Sequence, residues 1–248
     1  PRPAAHHESV HAITPKCSPR TRASSFVAPK TSPLTPPRVP SAHRISPTAT
    51  SGPAATAADV VADVRDTLRA VRPLEMAVRL YVAPPLPDNG FEGLPNDVSL
   101  HPQSGDGLGA RMRTAFADTL RAGYDRALLL GTDHPTLPVP FLKQAEHALE
   151  TPEALCLGPT EDGGFYLVGM SAYYPQLFED MSYSHAQVFS DTLARADRTT
   201  ARLTVLPPWY DVDTPSDLTR MLADLDRGTA DAPNTRRIAN QLELPALL

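Results

Sequence analysis

From residue 54 onward, apolar positions recur in two alternating rhythms. In Ala54–Val71 the apolar residues Ala57, Val60, Val61, Val64, Leu68 and Val71 fall at helical spacing, and Pro53 suits a first turn, so a helix is expected. Met76–Val82 sets Val78, Leu80 and Val82 against Arg79 and Tyr81 with the period of a strand, and the Pro- and Gly-rich stretch 83–96 reads as an exposed loop. Val98–His101 is a short strand candidate. Gln103–Met112, with glycines at 105, 107 and 109, reads as a turn opening a helix that runs to about Ala122. Ala127–Leu130 is wholly apolar, as in a strand buried on both faces of a parallel sheet.

The alternation continues toward the C-terminus. The pattern predicts a helix over Val139–Leu149, strands at Ala154–Leu157 and Phe165–Val168, a short aromatic stretch at Tyr174–Phe178, a helix over His185–Ala196 and a last strand at Leu203–Leu206. Thr214, Pro215 and Asp217 then mark the start of a helix, with Asp217 as the acid of a capping box. After Arg227 a frayed helical tail is expected. Alternating helices and strands over most of 54–226 indicate an α/β domain with a mainly parallel sheet.

The first fifty residues break this pattern. They hold no Gly, a single aromatic (Phe26) and repeated Pro, Ser and Thr, with neither period, so residues 1–52 are expected to be disordered. The expected organisation is 1–52 disordered, 53–226 folded and 227–248 a tail. The charge is split the same way: residues 1–50 carry seven Lys or Arg against Glu8, leaving 16 basic against 27 acidic residues, or −11, in the rest. An acidic folded part speaks against nucleic acid as a partner. No apolar run reaches the roughly 20 residues that span a bilayer. Cys17 and Cys156 lie in different regions and suggest neither a disulfide framework nor a zinc site, so a reducing cytoplasm is the expected compartment.

Candidate chemistry gathers where strands should end. Asp133 closes the run RALLLGTDHP, where an acid either binds a cation or ligand hydroxyl in the crevice of an α/β sheet or caps a turn. Glu161 and Asp162, followed by Gly163 and Gly164, sit in a turn between two strands, and Asp211 and Asp213 flank Val212 at the last strand end. Three acidic sites after three strands are better explained by one shared cleft holding a hard cation and phosphate oxygens than by three separate turns. His134 is either a further ligand or a solvated loop residue, His185 either reaches a ligand or caps its helix, and Trp209 and Tyr210 are expected to pack at the sheet end.

GTDHP, GPTEDGGFYLVG and DVDTPSDL, in this order behind QSGDGLGARM, resemble the glycosyltransferase-like family DUF2064 of the nucleotide-diphospho-sugar transferase (GT-A) superfamily. The resemblance spans roughly Pro53–Leu225 and implies a three-layer αβα, Rossmann-like fold with a divalent cation, Mg²⁺ or Mn²⁺, at Asp133 and Asp213. It implies catalytic roles for Asp133 and Asp162, with Gly163, Gly164 and His185 facing the sugar or acceptor, and a nucleotide-base wall from Gln103, Asp106, Gly109 and Arg111. The partners implied are a nucleotide-sugar donor and a small-molecule acceptor. The superfamily also holds guanylyltransferases, which break a different bond at the same kind of metal site. The family's buried first strand and its Pro-Gly, Lys-Thr-Arg phosphate loop are not found in residues 1–52. The expectation is therefore a divergent start, a sheet lacking its usual first strand, and a compromised enzyme or a nucleotide-binding protein as the competing reading.

Overall fold

The computed structural model describes residues 10–15, 57–74, 76–83, 95–183 and 185–241. In chain order the elements are β1 (Val10–Pro15), α1 (Ala57–Val71), β2 (Met76–Val82), β3 (Val98–Pro102), α2 (Leu108–Arg121), β4 (Ala127–Gly131) and α3 (Val139–Ala148). They continue with β5 (Ala154–Pro159), β6 (Phe165–Met170), a 3₁₀ turn at Pro175–Leu177, α4 (Val188–Ala196), β7 (Arg202–Val205), α5 (Pro215–Arg227) and α6 (Pro233–Gln241). The strands form one sheet in the order β3-β2-β1-β4-β6-β5-β7.

Period-two alternation divides the strands between two cores. Ala127, Leu129, Leu155 and Leu157 face α2 and α4, meeting Met112, Phe116 and Ala196. Leu128, Leu130 and Cys156 face α1 and α3, meeting Val71, Leu142 and Ala145. Each fully buried Leu or Phe here contributes about 2 kcal/mol of hydrophobic stabilisation. The three layers are therefore helix, sheet and helix, as expected. Cys156 acts as a small apolar side chain, its thiol pushed up to about 12 by burial.

β2 and β3 are parallel, as are β5 and β7, while β1 and β6 each run antiparallel to both neighbours. Following these pairings across the sheet, β2, β3, β4, β5 and β7 all point the same way. The sheet is mainly parallel in strand direction, and Asp133 and the β5–β6 turn lie at its common carboxyl end.

Two expectations need correction. Val10–Pro15 was expected to be disordered, with a gap left in the sheet; it fills the place between β2 and β4, pairing Ile13 with Val78 and with Leu128. Two neighbouring strands with open hydrogen-bonding edges supply the partners that the segment's own pattern does not announce. The rest of the 1–52 region lies outside the described residues, as do the loop residues 84–94 and the end of the tail, 242–248.

The second correction concerns the tail, which up to Gln241 is a packed helix. Asp66, 2% exposed on α1, accepts from the backbone N and Nδ2 of Asn234 (3.1 and 2.8 Å) and from the backbone N and Oγ1 of Thr235 (both 2.7 Å). It thus caps the α6 amino terminus with a carboxylate from another helix. Among the described residues no helix is long and apolar enough to cross a membrane.

Candidate active site

β4 is driven into the sheet centre by four buried apolar residues, and Thr132 and Asp133 follow at its end. The main-chain oxygen of Asp133 accepts from Val212 N at 3.1 Å, which draws the 207–213 segment across the end of β4. That segment also runs along the end of β5: Trp209 N donates to Pro159 O (3.1 Å), Glu161 N donates to Trp209 O (3.0 Å), and Thr160 bridges Trp209 in parallel. Main-chain bonds therefore bring together the three strand ends carrying Asp133, Asp162 and Asp211/Asp213.

The side chains around this junction differ in their freedom. Asp162 is exposed at the tip of the β5–β6 turn, where its Oδ1 accepts from Thr160 Oγ1 and from Gly164 N (3.0 Å). Gly163 has φ +95°, and a Cβ there would meet Ala186 O at 2.0 Å, so only glycine lets the turn lie against the 185–187 segment. The bond from Phe189 N to Gly163 O (2.8 Å) fixes that contact. A Cβ on Gly164 would meet Thr160 Oγ1 at 2.8 Å, which keeps the Thr160–Asp162 pair tight.

Asp213 is exposed just ahead of α5, whose capping box joins Thr214 and Asp217 as the sequence predicts. Asp211 is partly buried, and desolvation first, then the nearby Asp162 and Asp213 carboxylates, push its carboxyl up to about 6. Among the described residues no group of three or more His, Cys, Asp or Glu side chains gathers to hold a metal ion.

His134 is neither solvated nor an open ligand. It is 7% exposed, its Nδ1 donates to Tyr210 O at 3.2 Å, and burial brings its ring down to about 4, so it is neutral at physiological pH. It braces the 207–213 segment from below, beside Tyr166. Trp209 and Tyr210 pack as expected, stacked on each other at 5.2 Å, with Trp209 edge-on to Phe141.

Arg220 of α5 gives no sequence signal, yet it spans the site. Its guanidinium holds Glu161 through two bonds of 2.6 and 2.9 Å and lies 4.0 Å over the Tyr210 ring.

The second wall stands at the carboxyl ends of β2 and β3. Gln103 is buried, with its N donating to Val82 O (2.8 Å) and its Nε2 to Tyr81 O (3.3 Å). Arg111 leans on the same loop, donating to Gln103 Oε1 (3.3 Å) and Gly105 O (3.4 Å), and Asp106 is exposed in it. Gly109 is buried beneath Tyr183, whose ring would lie 2.8 Å from a Cβ there.

His185 links the two walls. Its Nδ1 accepts from Gln187 N (3.2 Å) and its Nε2 donates to Ser182 O (3.0 Å), which ties Ser182 to Gln187 just ahead of α4 without capping the helix, whose N-cap Gln187 has no side-chain cap bond. Gly109 thus lies against Tyr183 and Gly163 against Ala186, so residues on either side of His185 touch the start of α2 and the β5–β6 turn.

Residues 67–185 match the family model described as "Uncharacterized protein conserved in bacteria (DUF2064)". The fold is similar to a crystal structure from Desulfovibrio desulfuricans G20 described as a "putative nucleotide-diphospho-sugar transferase", with TM-score 0.56 and 29% identity over 66% of this chain and 72% of that one. No protein of curated function matches the chain. The strand-end acids and the glycine-tipped β5–β6 turn sit on an α/β architecture similar to that of the Desulfovibrio protein, and the residues that match the DUF2064 model include Asp133 and the β5–β6 turn.

Proposed function

We propose that this chain is a metal-dependent glycosyltransferase, moving a sugar from a nucleotide-diphosphate donor to an acceptor hydroxyl. The observation that carries the reading is the main-chain stitching of three acid-bearing strand ends onto one place, through Val212 to Asp133 and Trp209 to Glu161. The similarity to the Desulfovibrio protein supports the donor class.

The donor set is carboxylate oxygen, which suits a hard cation; Asp133 and Asp213 would hold it, with phosphate oxygens completing its shell. When bound, such a cation neutralises charge on the departing diphosphate. Asp162, oriented by Thr160 and Gly164 through one oxygen, takes the acceptor hydroxyl proton on the other. The acceptor oxygen then bonds to the anomeric carbon as the bond from sugar to diphosphate breaks. Gln103, Arg111, Asp106 and Gly109 form the wall for the nucleotide base, and Gly163, Gly164 and His185 line the sugar side.

One observation favours a second reading, in which the chain binds nucleotide without efficient transfer. Because β1 is antiparallel to β4, pairing Val10 with Gly131 and Pro15 with Met76, the chain leaves β1 at the end of the sheet opposite Asp133. A phosphate loop directly following β1 would begin at the far end of the sheet from Asp133.

The test is thermal denaturation with UDP, GDP and their sugars, with and without Mn²⁺ or Mg²⁺, beside Asp133→Asn. A ligand at about 100 times its Kd adds roughly 2.7 kcal/mol of stability. A metal-dependent shift lost in Asp133→Asn supports the site, and release of free UDP or GDP from the sugar nucleotide on adding acceptors separates transfer from binding. No shift with any nucleotide overturns both readings.

A further inference from the structure

We propose that Arg220 is a positioning residue for the transfer described above: by gripping Glu161 while lying on Tyr210, it fixes Asp162 relative to the 207–213 segment. The inference rests on the role that reading gives to Asp162. Arg220 touches both acid-bearing loops, each time one residue short of an acid. Glu161 precedes Asp162 in the β5–β6 turn, and Tyr210 precedes Asp211. The guanidinium takes both oxygens of Glu161 (2.6 and 2.9 Å) and sits 4.0 Å over the Tyr210 ring.

The two loops are held to different degrees. Tyr210 is 3% exposed, its main-chain oxygen accepts from His134 Nδ1 (3.2 Å), and its hydroxyl donates to Asp224 Oδ2 (2.8 Å). Asp224 lies one turn on from Arg220, so the same face of α5 meets the ring and its hydroxyl. Met221 and Leu225 seat that helix in its own small core. Tyr210 is therefore a fixed platform. Glu161 and Asp162, by contrast, are exposed. Gly163 against Ala186 secures one side of their turn, and Arg220 secures the other.

Stability alone does not account for this link. The Arg220 and Glu161 side chains are 45% and 49% exposed, and ion pairs so exposed add little to stability. What the planar fork adds is direction, because it grips both oxygens of one carboxylate at once. Direction is what a proton-taking acid needs, since a displacement of about 1 Å can cost about a hundredfold in rate. With both Glu161 oxygens taken and one Asp162 oxygen bonded to Thr160 and Gly164, the second Asp162 oxygen is the one this turn can offer an acceptor.

The test follows amide exchange in the full chain, and release of UDP or GDP from their sugar nucleotides with Mn²⁺, in Arg220→Met, Glu161→Gln and the double variant. In each, exchange at Glu161, Gly163 and Gly164, whose amides are bonded within or beside the turn, should rise about tenfold or more, with Tm within about 2 °C of the parent. Turnover should fall at least about tenfold while metal-dependent nucleotide affinity stays within about twofold. The double variant should lose no more than either single one, since both cut the same link. Arg220→Lys keeps the charge without the fork and should recover only part of the loss. Arg236→Met, which breaks a comparable exposed pair with Asp226, should change neither exchange at the turn nor turnover. Unchanged exchange at the turn, losses that multiply in the double variant, full recovery in Arg220→Lys, or a parallel loss of nucleotide affinity would each overturn the proposal. A parent chain that releases no UDP or GDP counts against the transfer reading instead, and exchange at the turn then decides alone whether Arg220 holds it.

Discussion

The two ends of the sheet carry opposite charge and are held in opposite ways. At the carboxyl end, the acids hang on main-chain bonds between neighbouring strand ends, and a glycine with no room for a side chain locks the β5–β6 turn against the 185–187 segment. At the amino end, guanidiniums line a cavity beside α6, and one buried carboxylate, Asp66, clasps that helix. The difference is one of tolerance. Main-chain geometry survives most side-chain changes but fails where a glycine is replaced, whereas a clasp built on a single side chain fails with that side chain.

The largest effect is expected from breaking the carboxyl end. Gly163→Ala places a methyl group against Ala186 O in a backbone conformation that alanine resists, and should cost about 4 kcal/mol by urea denaturation. Gly228→Ala is the control: its φ is +70°, with nothing within 4 Å of the new Cβ, and a loss of about 1 kcal/mol is expected there. Similar losses at the two glycines would show that the turn is not wedged against 185–187. At the amino end, Asp66→Ala strips four donors of their acceptor and should cost about 3 kcal/mol, with amide exchange rising selectively in α6. Uniform exchange across all helices would count against the clasp.

Acidity sharpens the comparison within the carboxyl end. His134 has its folded value lowered to about 4 from 6.5, so its contribution is present above pH 6.5 and is lost as the pH falls toward 4. Melting curves should show a loss of about 3 kcal/mol across that window, absent in His134→Gln. Asp211 runs the other way: its folded value is raised from 3.8 to about 6, so its contribution is present below 3.8 and is lost as the pH rises through 6. Asp211→Asn should therefore stabilise the protein at pH 7 by about 1 kcal/mol, after allowance for solvent screening, and have no effect near pH 3.5. Stabilisation that persists at low pH would rule out relief of crowded carboxylates as its cause.

The strands and helices with strong local patterns were legible in the sequence. β2 occupies the predicted Met76–Val82, and α3 and β4 differ from expectation only at an end residue, because buried runs and proline starts are local signals. β1 was not legible: Val-His-Ala-Ile-Thr-Pro carries no clear period, and its pairing is decided by β2 and β4 far along the chain. The tail helix α6 escaped for a related reason. Its buried face is small, with Ala239 its one fully buried residue, and its cap comes from Asp66, 168 residues before Asn234.

In the site, the acids at strand ends could be found because residue type and position agreed. The roles of His134 and Arg220 could not, since each depends on the return of the 207–213 segment and α5 onto β4 and β5.

The position of β1 has a consequence for how the protein comes apart. β2 and β3 form one parallel pair, and β4, β6, β5 and β7 form another block, so this six-residue strand is the only hydrogen-bonded seam between two half-sheets among the described residues. Cooperativity of unfolding across the sheet depends on that seam. If it opens first, amides of Val78–Leu80 and Leu128–Leu130 will exchange through a subglobal opening well below the global free energy, while the β5–β6 ladder stays closed.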